Sequence, residues 1–183
     1  MVEELKVRGS SITSKFAYVR ETFGPAAESK LNERFAGSPH FPALDALWYP
    51  FSHYLEVNQA IADTCFDGDV KRLREVGQFS AEHALTHLYK VYAKEATFVD
   101  FLLKISNLHK RFYSAGSMEP RIDEAGGQAD IVLSGNREYP VEDLYIAQGF
   151  YVGAAKRLGH QNVLSKISRT ADGAIIAVRW ADG

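Results

Sequence analysis

A chain of 183 residues, 46% hydrophobic and 24% charged, is long and apolar enough to bury its own core, which excludes disorder and predicts one folded domain over 1–183. A formal net charge of −2 leaves no concentrated basic surface for nucleic acid. The opening Met-Val-Glu-Glu-Leu-Lys is no secretory leader, no apolar run is long enough to span a membrane, and a lone cysteine excludes an intrachain disulfide, so a soluble cytoplasmic protein is expected.

In chain order, Ile12, Phe16, Val19 and Phe23 fall on one stripe and predict a helix over 12–23, with Ser10 or Ser11 as its cap. Gly24 ends it, and Pro25 opens a second helix to about Phe35. The proline-bearing stretch 37–50 reads as an irregular connection, leading from Trp48-Tyr49-Pro50-Phe51 into a helix to about Phe66. A turn at Asp67-Gly68-Asp69 precedes a helical region over 70–95, with a break expected near Gly77 and a new cap at Ser80. The helix predicted over 97–113 carries the strongest amphipathic pattern, through Phe98, Phe101, Leu102, Ile105, Leu108 and Phe112.

After Gly116 the pattern changes to strands at 118–122 and 129–133, a helix at 142–158, and strands at 162–169 and 174–180. The expected class is therefore α+β: a helical half over 10–115 packed on a small antiparallel sheet in a β-β-α-β-β half over 117–181. The 142–158 helix is apolar almost all round, and Gly149 and Gly153 one turn apart suggest close approach by another backbone or a bound molecule. It reads as a core helix crossing its own sheet, or as a wall shared with a ligand or a second subunit. A homodimer in which this helix or the neighbouring sheet makes the contact is expected.

His83 and His87 stand one turn apart, but Lys90 and Lys94 share their face and would repel a dication, so the pair reads as solvated and no metal site is assigned. Cys65 reads as a small buried side chain. His109 lies near the apolar stripe of its helix, where a core-edge imidazole bonded to backbone is the simpler reading and an axial haem ligand the alternative. Ser134-Gly135-Asn136-Arg137 reads as a polar turn, and Glu142 and Asp143 as carboxylates complementing a helix dipole. No phosphate loop, dinucleotide fingerprint, nucleophile elbow or paired metal-ligand carboxylates is present in the sequence, so no catalytic residue is assigned.

Several short stretches, taken in order, carry a resemblance: Val7-Arg8-Gly9, Tyr18-Val19-Arg20, Phe23-Gly24, Trp48-Tyr49-Pro50, Gly77-Gln-Phe-Ser80 with Leu85 and Tyr89, Phe112-Tyr113 with Gly116, and Val178-Arg179-Trp180. Together they resemble a family of uncharacterised myxobacterial paralogues related to the 4-vinyl reductase and haem-NO-binding-like ligand-binding domains. The resemblance implies a helical half packed on an antiparallel sheet and a long crossing helix, with an apolar internal pocket and frequent dimerisation in related domains. Ala171-Asp172-Gly173-Ala174 lacks the cysteines that 4-vinyl reductase-like domains often carry around such a turn. The Tyr-x-Ser-x-Arg signature of the haem-binding relatives is incomplete, with Val132 before Ser134 and the arginine displaced to Arg137.

Eleven Phe, nine Tyr and two Trp in one domain, together with the two-sided apolar helix, favour a non-enzymatic sensory or regulatory domain that holds a small hydrophobic ligand in an internal pocket between the N-terminal helices and the sheet, with no cofactor. Trp48, Tyr49, Phe101, Ile105, His109, Phe112 and Phe150 are its candidate ligand-binding residues. A protein-interaction or scaffold module is the alternative reading, and a haem-binding gas sensor a third.

Overall fold

A computed structural model describes residues 4–88, 97–135 and 139–181. The helical half begins with strand β1 (Lys6–Arg8), followed by α1 (Ser10–Phe23) and α2 (Pro25–Phe35). Strand β2 (Trp48–Pro50) pairs antiparallel with β1, matching Val7 to Tyr49, and leads directly into α3 (Phe51–Cys65). A 3-10 turn at Val70–Arg72 then enters α4 (Leu73–His83), continued by a π-helical turn at Ala84–Leu88. Helix α5 (Phe98–Phe112) is opened by a capping box in which Thr97 and Asp100 each bond the other's backbone N–H.

The second half holds β3 (Ser117–Asp123), β4 (Gln128–Ser134), α6 (Val141–Arg157), β5 (Asn162–Thr170) and β6 (Gly173–Ala181). Its sheet is wholly antiparallel in the order β3-β4-β6-β5. Alternation sends Met118, Ala129, Ile131, Leu133, Ile176, Val178 and Trp180 into the core beneath α5 and α6. The α+β arrangement is thus the one the sequence predicts.

Three local expectations are corrected. Neither Ser10 nor Ser11 caps α1, because both lie inside it and Gly9 holds the cap position without a side-chain bond. Residues 48–50 form a strand because β1 supplies a partner about 40 residues upstream, beyond the reach of local pattern. Helix α4 runs unbroken through Gly77 and Ser80. At Gly77 the helix lies so close to α6 that a Cβ would run into the carbonyl of Ile146, so the glycine serves packing and not a break.

The same contact accounts for Gly149 and Gly153. A Cβ on Gly149 would run into the Arg74 carbonyl, and one on Gly153 would lie 2.8 Å from Gln78 Cα. Helix α6 is therefore covered by α4 on one side and by the sheet on the other, and Ile146 and Val152 are buried within the chain. Tyr145 of the same helix is partly buried, packed against the first core.

Two hydrophobic cores result, one among α1–α4 and the β1–β2 ribbon, the other between α5, α6 and the sheet. Helix α6 joins them, giving Leu144 to the second and Ile146 to the first. Among the described residues no helix is long and apolar enough to cross a membrane.

Candidate functional site

The seam between the cores is polar. Lys15 lies on α1 between Ile12 and Val19, at the three- and four-residue steps that define the buried stripe, so its stem enters the interior with them. Its Nζ stands 4.3 Å from the centre of the Tyr54 ring on α3. The Tyr54 hydroxyl donates to Asp143 Oδ1 at 2.9 Å, and the Tyr113 hydroxyl donates to the same oxygen at 3.2 Å. Lys15 and Asp143 are each 2% exposed.

Four chain segments meet here. Asp143 occupies the first turn of α6, and Tyr113 is the C-cap of α5. Tyr113 is held by an isolated antiparallel bridge to Val7, and next to it the Ser114 N–H donates to the Lys6 carbonyl at 3.0 Å. The β1 strand thus ties the end of α5 to the helical half.

Burial dominates the electrostatics. It pushes Lys15 down to about 7, with Asp143 opposing the shift. It raises Asp143 above the usual carboxylate range, against the two tyrosine hydroxyls and Lys15, which favour the anion. Burial, and then the nearby Asp143, raise Tyr54 and Tyr113 well above the ordinary phenol value, so both stay protonated and can donate. The seam therefore holds an acid, a base and two fixed donors away from water.

His109 stacks on Tyr113, with ring centres 4.8 Å apart and planes 14° from parallel. Its Nε2 is buried with no hydrogen-bond partner among the described residues. Burial lowers its pKa against the pull of the Ala115 carbonyl, favouring a neutral ring. Beside it, a methyl on Gly116 would sit 3.7 Å from Nε2 and 3.0 Å from the Tyr139 hydroxyl.

The structure divides the candidate ligand-binding residues. Phe101 and Ile105 are buried in the second core, with Phe112 and Phe150 packed against it, and the Phe101 and Phe150 rings lie 6.1 Å apart. Tyr49 belongs to the first core, where its hydroxyl accepts from the Leu44 N–H at 2.8 Å. Trp48 is 40% exposed under the Arg8 guanidinium. His109 stands at the seam, its ring stacked on Tyr113, which packs against the first core.

His83 is half-buried against the Phe79 ring, at 6.1 Å, and the side chain of His87 lies outside the description. Lys90 and Lys94 also lie outside the described residues. Cys65 is partly buried at the edge of the first core, and burial pushes its thiol up. Asn136 and Arg137 lie outside the described residues.

Lys15 and Tyr54 were not singled out from the sequence, Tyr113 entered only as part of a resemblance, and Asp143 only as a carboxylate complementing a helix dipole. Lys15 could have been found from its position on the Ile12–Val19 stripe. Asp143 could not, since a carboxylate in a first turn is ordinarily solvated.

No family model matches the chain, and no curated protein matches it. Solved structures do. An H-NOX protein from S. oneidensis in the Fe(II) ligation state, in a triply substituted form, superposes with a TM-score of 0.77 over 96% of each chain at 16% identity. The Fe(II)NO state of an H-NOX protein from the same organism gives 0.75 over 96% of this chain and 99% of that one, again at 16% identity. An oxygen-binding H-NOX domain related to soluble guanylate cyclases gives 0.72 at 12% identity, over 96% of this chain and 95% of that one. The likeness is one of fold: from end to end, this chain has an H-NOX-like architecture.

Proposed function

We propose that the chain is a non-enzymatic sensory or regulatory domain that takes up a small apolar ligand in the core between α5, α6 and the sheet. The observation that carries this reading is the H-NOX-like fold extending over 96% of the chain. The grouping of Phe101, Ile105, Phe112 and Phe150 in that core supports it, because apolar ligands are held by such side chains. The order of short motifs that resembles the myxobacterial paralogues and the 4-vinyl reductase-like domains points to the same class.

Haem is the bound group in solved proteins of the same fold. His109 offers the donor chemistry of an axial ligand, with a buried, unpartnered Nε2 on a ring that burial keeps neutral. Its surroundings do not fit the rest of the group. A Cβ on Gly116 would lie 3.0 Å from the Tyr139 hydroxyl, 3.3 Å from the Ser134 carbonyl and 3.7 Å from Nε2, so the polar groups of this turn share the space beside the imidazole. Along the core face of α5, Phe98 contacts Trp180 and Phe101, and Phe101 contacts Phe150, a spacing too close for a porphyrin plane between them, and Val132 stands where the signature has tyrosine. The proposed ligand is therefore an apolar molecule without iron.

Native mass spectrometry of the purified chain, followed by solvent extraction, tests this. A mass excess released on denaturation and lost in Phe101→Ala is expected. A bare mass, with no thermal shift in a panel of apolar molecules, would overturn the ligand. A Soret band that disappears in His109→Ala would overturn the absence of iron.

A second reading, an interaction module, draws on one surface observation. Leu44, Leu47 and Trp48 are 58%, 51% and 40% exposed on neighbouring positions of one loop and strand. A homodimer, if formed, would use this surface in preference to α6. Light scattering on the wild type and Leu47→Glu distinguishes a dimer made here from one made elsewhere.

A further inference from the structure

The helical half holds a second orphaned imidazole, and it has a histidine beside it. His53 on α3 is 3% exposed, and its Nε2 has no hydrogen-bond partner among the described residues. A buried ring nitrogen normally finds a partner. Its other nitrogen, Nδ1, faces Glu56 Oε2 at 3.6 Å, one turn along the same helix. The His40 ring, carried by the loop between α2 and β2, lies with its centre 5.2 Å from that of His53 and its plane inclined by 52°. We propose that His40 and His53 together bind a divalent transition-metal ion of the zinc class.

The spacing suits one shared ion. A metal about 2.0–2.1 Å from an imidazole nitrogen lies about 3.2 Å from the ring centre, and two such rings at a tetrahedral angle have centres about 5.2 Å apart. Glu56 then plays the part of the carboxylate that fixes the ligand histidine from its far nitrogen, leaving Nε2 for the metal. Imidazole donors select zinc, copper and nickel over calcium or magnesium.

His40 stands on the more exposed side of the pair. Phe35 and Tyr49 close two sides of His53, with ring centres at 5.5 and 6.3 Å, whereas His40 is only partly buried. The loop that carries His40 is turned back by its own bonds, the His40 N–H donating to Ser38 Oγ and the Phe41 N–H to the Ser38 carbonyl. Among the described residues no group of three His, Cys, Asp or Glu is placed to hold a metal. The site therefore supplies two protein donors and leaves the remaining positions to water, which makes it reversible. A bound ion would pin the 37–47 loop to α3.

Isothermal titration of the full chain with zinc chloride, and electron paramagnetic resonance with copper(II), test the site. The expected result is one ion per chain with two nitrogen donors. Binding should fall by at least tenfold in His40→Ala, a substitution at a partly exposed position whose fold is checked by circular dichroism. Glu56→Gln should weaken binding by about tenfold. The double variant His83→Ala with His87→Ala should bind as the wild type does. Absence of saturable binding, or an affinity unchanged in a folded His40→Ala, would overturn the proposal.

Discussion

The Tyr54 hydroxyl and Asp143 Oδ1 are 2.9 Å apart although 89 residues separate them, and their bond crosses from the first core to the second. Because Tyr113 donates to the same oxygen and Lys15 lies over the Tyr54 ring, removing Asp143 strands a cation and two hydroxyls. Asp143→Ala should cost about 3–5 kcal/mol, as expected for breaking a buried charged set by deleting one member. Tyr54→Phe leaves Asp143 with the Tyr113 donor and should cost about 1–3 kcal/mol. Replacing Lys15 and Asp143 together by Met and Leu should cost clearly less than the two single losses combined, because no orphaned charge remains. Urea unfolding of these three variants, with the single substitutions Lys15→Met and Asp143→Leu beside them, measures this, and simple additivity would show that the groups do not act as a set.

The same seam fixes a pH dependence. Lys15 titrates at about 7 in the folded chain and near 10.5 when unfolded, so between these values the unfolded chain binds a proton that the native one lacks. Stability contributed at Lys15 must then rise with pH across that window. Asp143 acts in the opposite sense at lower pH, since its raised value lets the native state hold a proton that the unfolded chain releases. The pair is least favourable where both groups are charged. Thermal melts from pH 7 to 9.5 should show the wild type gaining stability relative to Lys15→Met as pH rises. Parallel curves would mean that the ammonium is not desolvated.

How much of this was legible in the sequence depends on the range of the interaction. The α5 stripe and the two hairpins were readable because period and turn chemistry are local, and β5 and β6 fall within a residue of their expected limits. Strands β1 and β2 were not, since each has only three residues and exists through the other. The glycines at 149 and 153 announced a close approach, but only the fold identifies its partner as α4. His53 and His40 gave no signal at all, because 13 residues and a loop separate them and no motif spans such a gap.

The phase of α5 can be checked with one adjacent pair. Leu102 is fully buried in the second core and Leu103 is 61% exposed. Leu102→Ala should destabilise by about 2–5 kcal/mol through lost burial and the cavity left behind. Leu103→Ala should stay within about 0.5 kcal/mol. Phe112, which is only partly buried, should cost less than Leu102 when truncated. Equal effects at 102 and 103 would place the helix in a different rotation.

The α4–α6 contact yields the sharpest packing test. In an open helix, replacing glycine by alanine gains about 1 kcal/mol. Gly149 and Gly77 are not open, since each would direct a methyl into a carbonyl of the opposing helix, of Arg74 and Ile146 respectively. Backbone cannot rotate aside as a side chain can. Gly149→Ala and Gly77→Ala should therefore destabilise, by about 1–3 kcal/mol or more, in the manner of overpacked cores. Gly153→Leu goes further, because its Cβ already meets Gln78 Cα at 2.8 Å and its branches would have to displace α4 bodily. If α6 lay at an interface between subunits, that variant would separate the subunits and keep its fold. With α4 of the same chain as the partner, it should lose the cooperative unfolding transition itself. Circular dichroism and light scattering on the same sample distinguish the two results, and a folded Gly153→Leu of unchanged stability would refute this packing of α6.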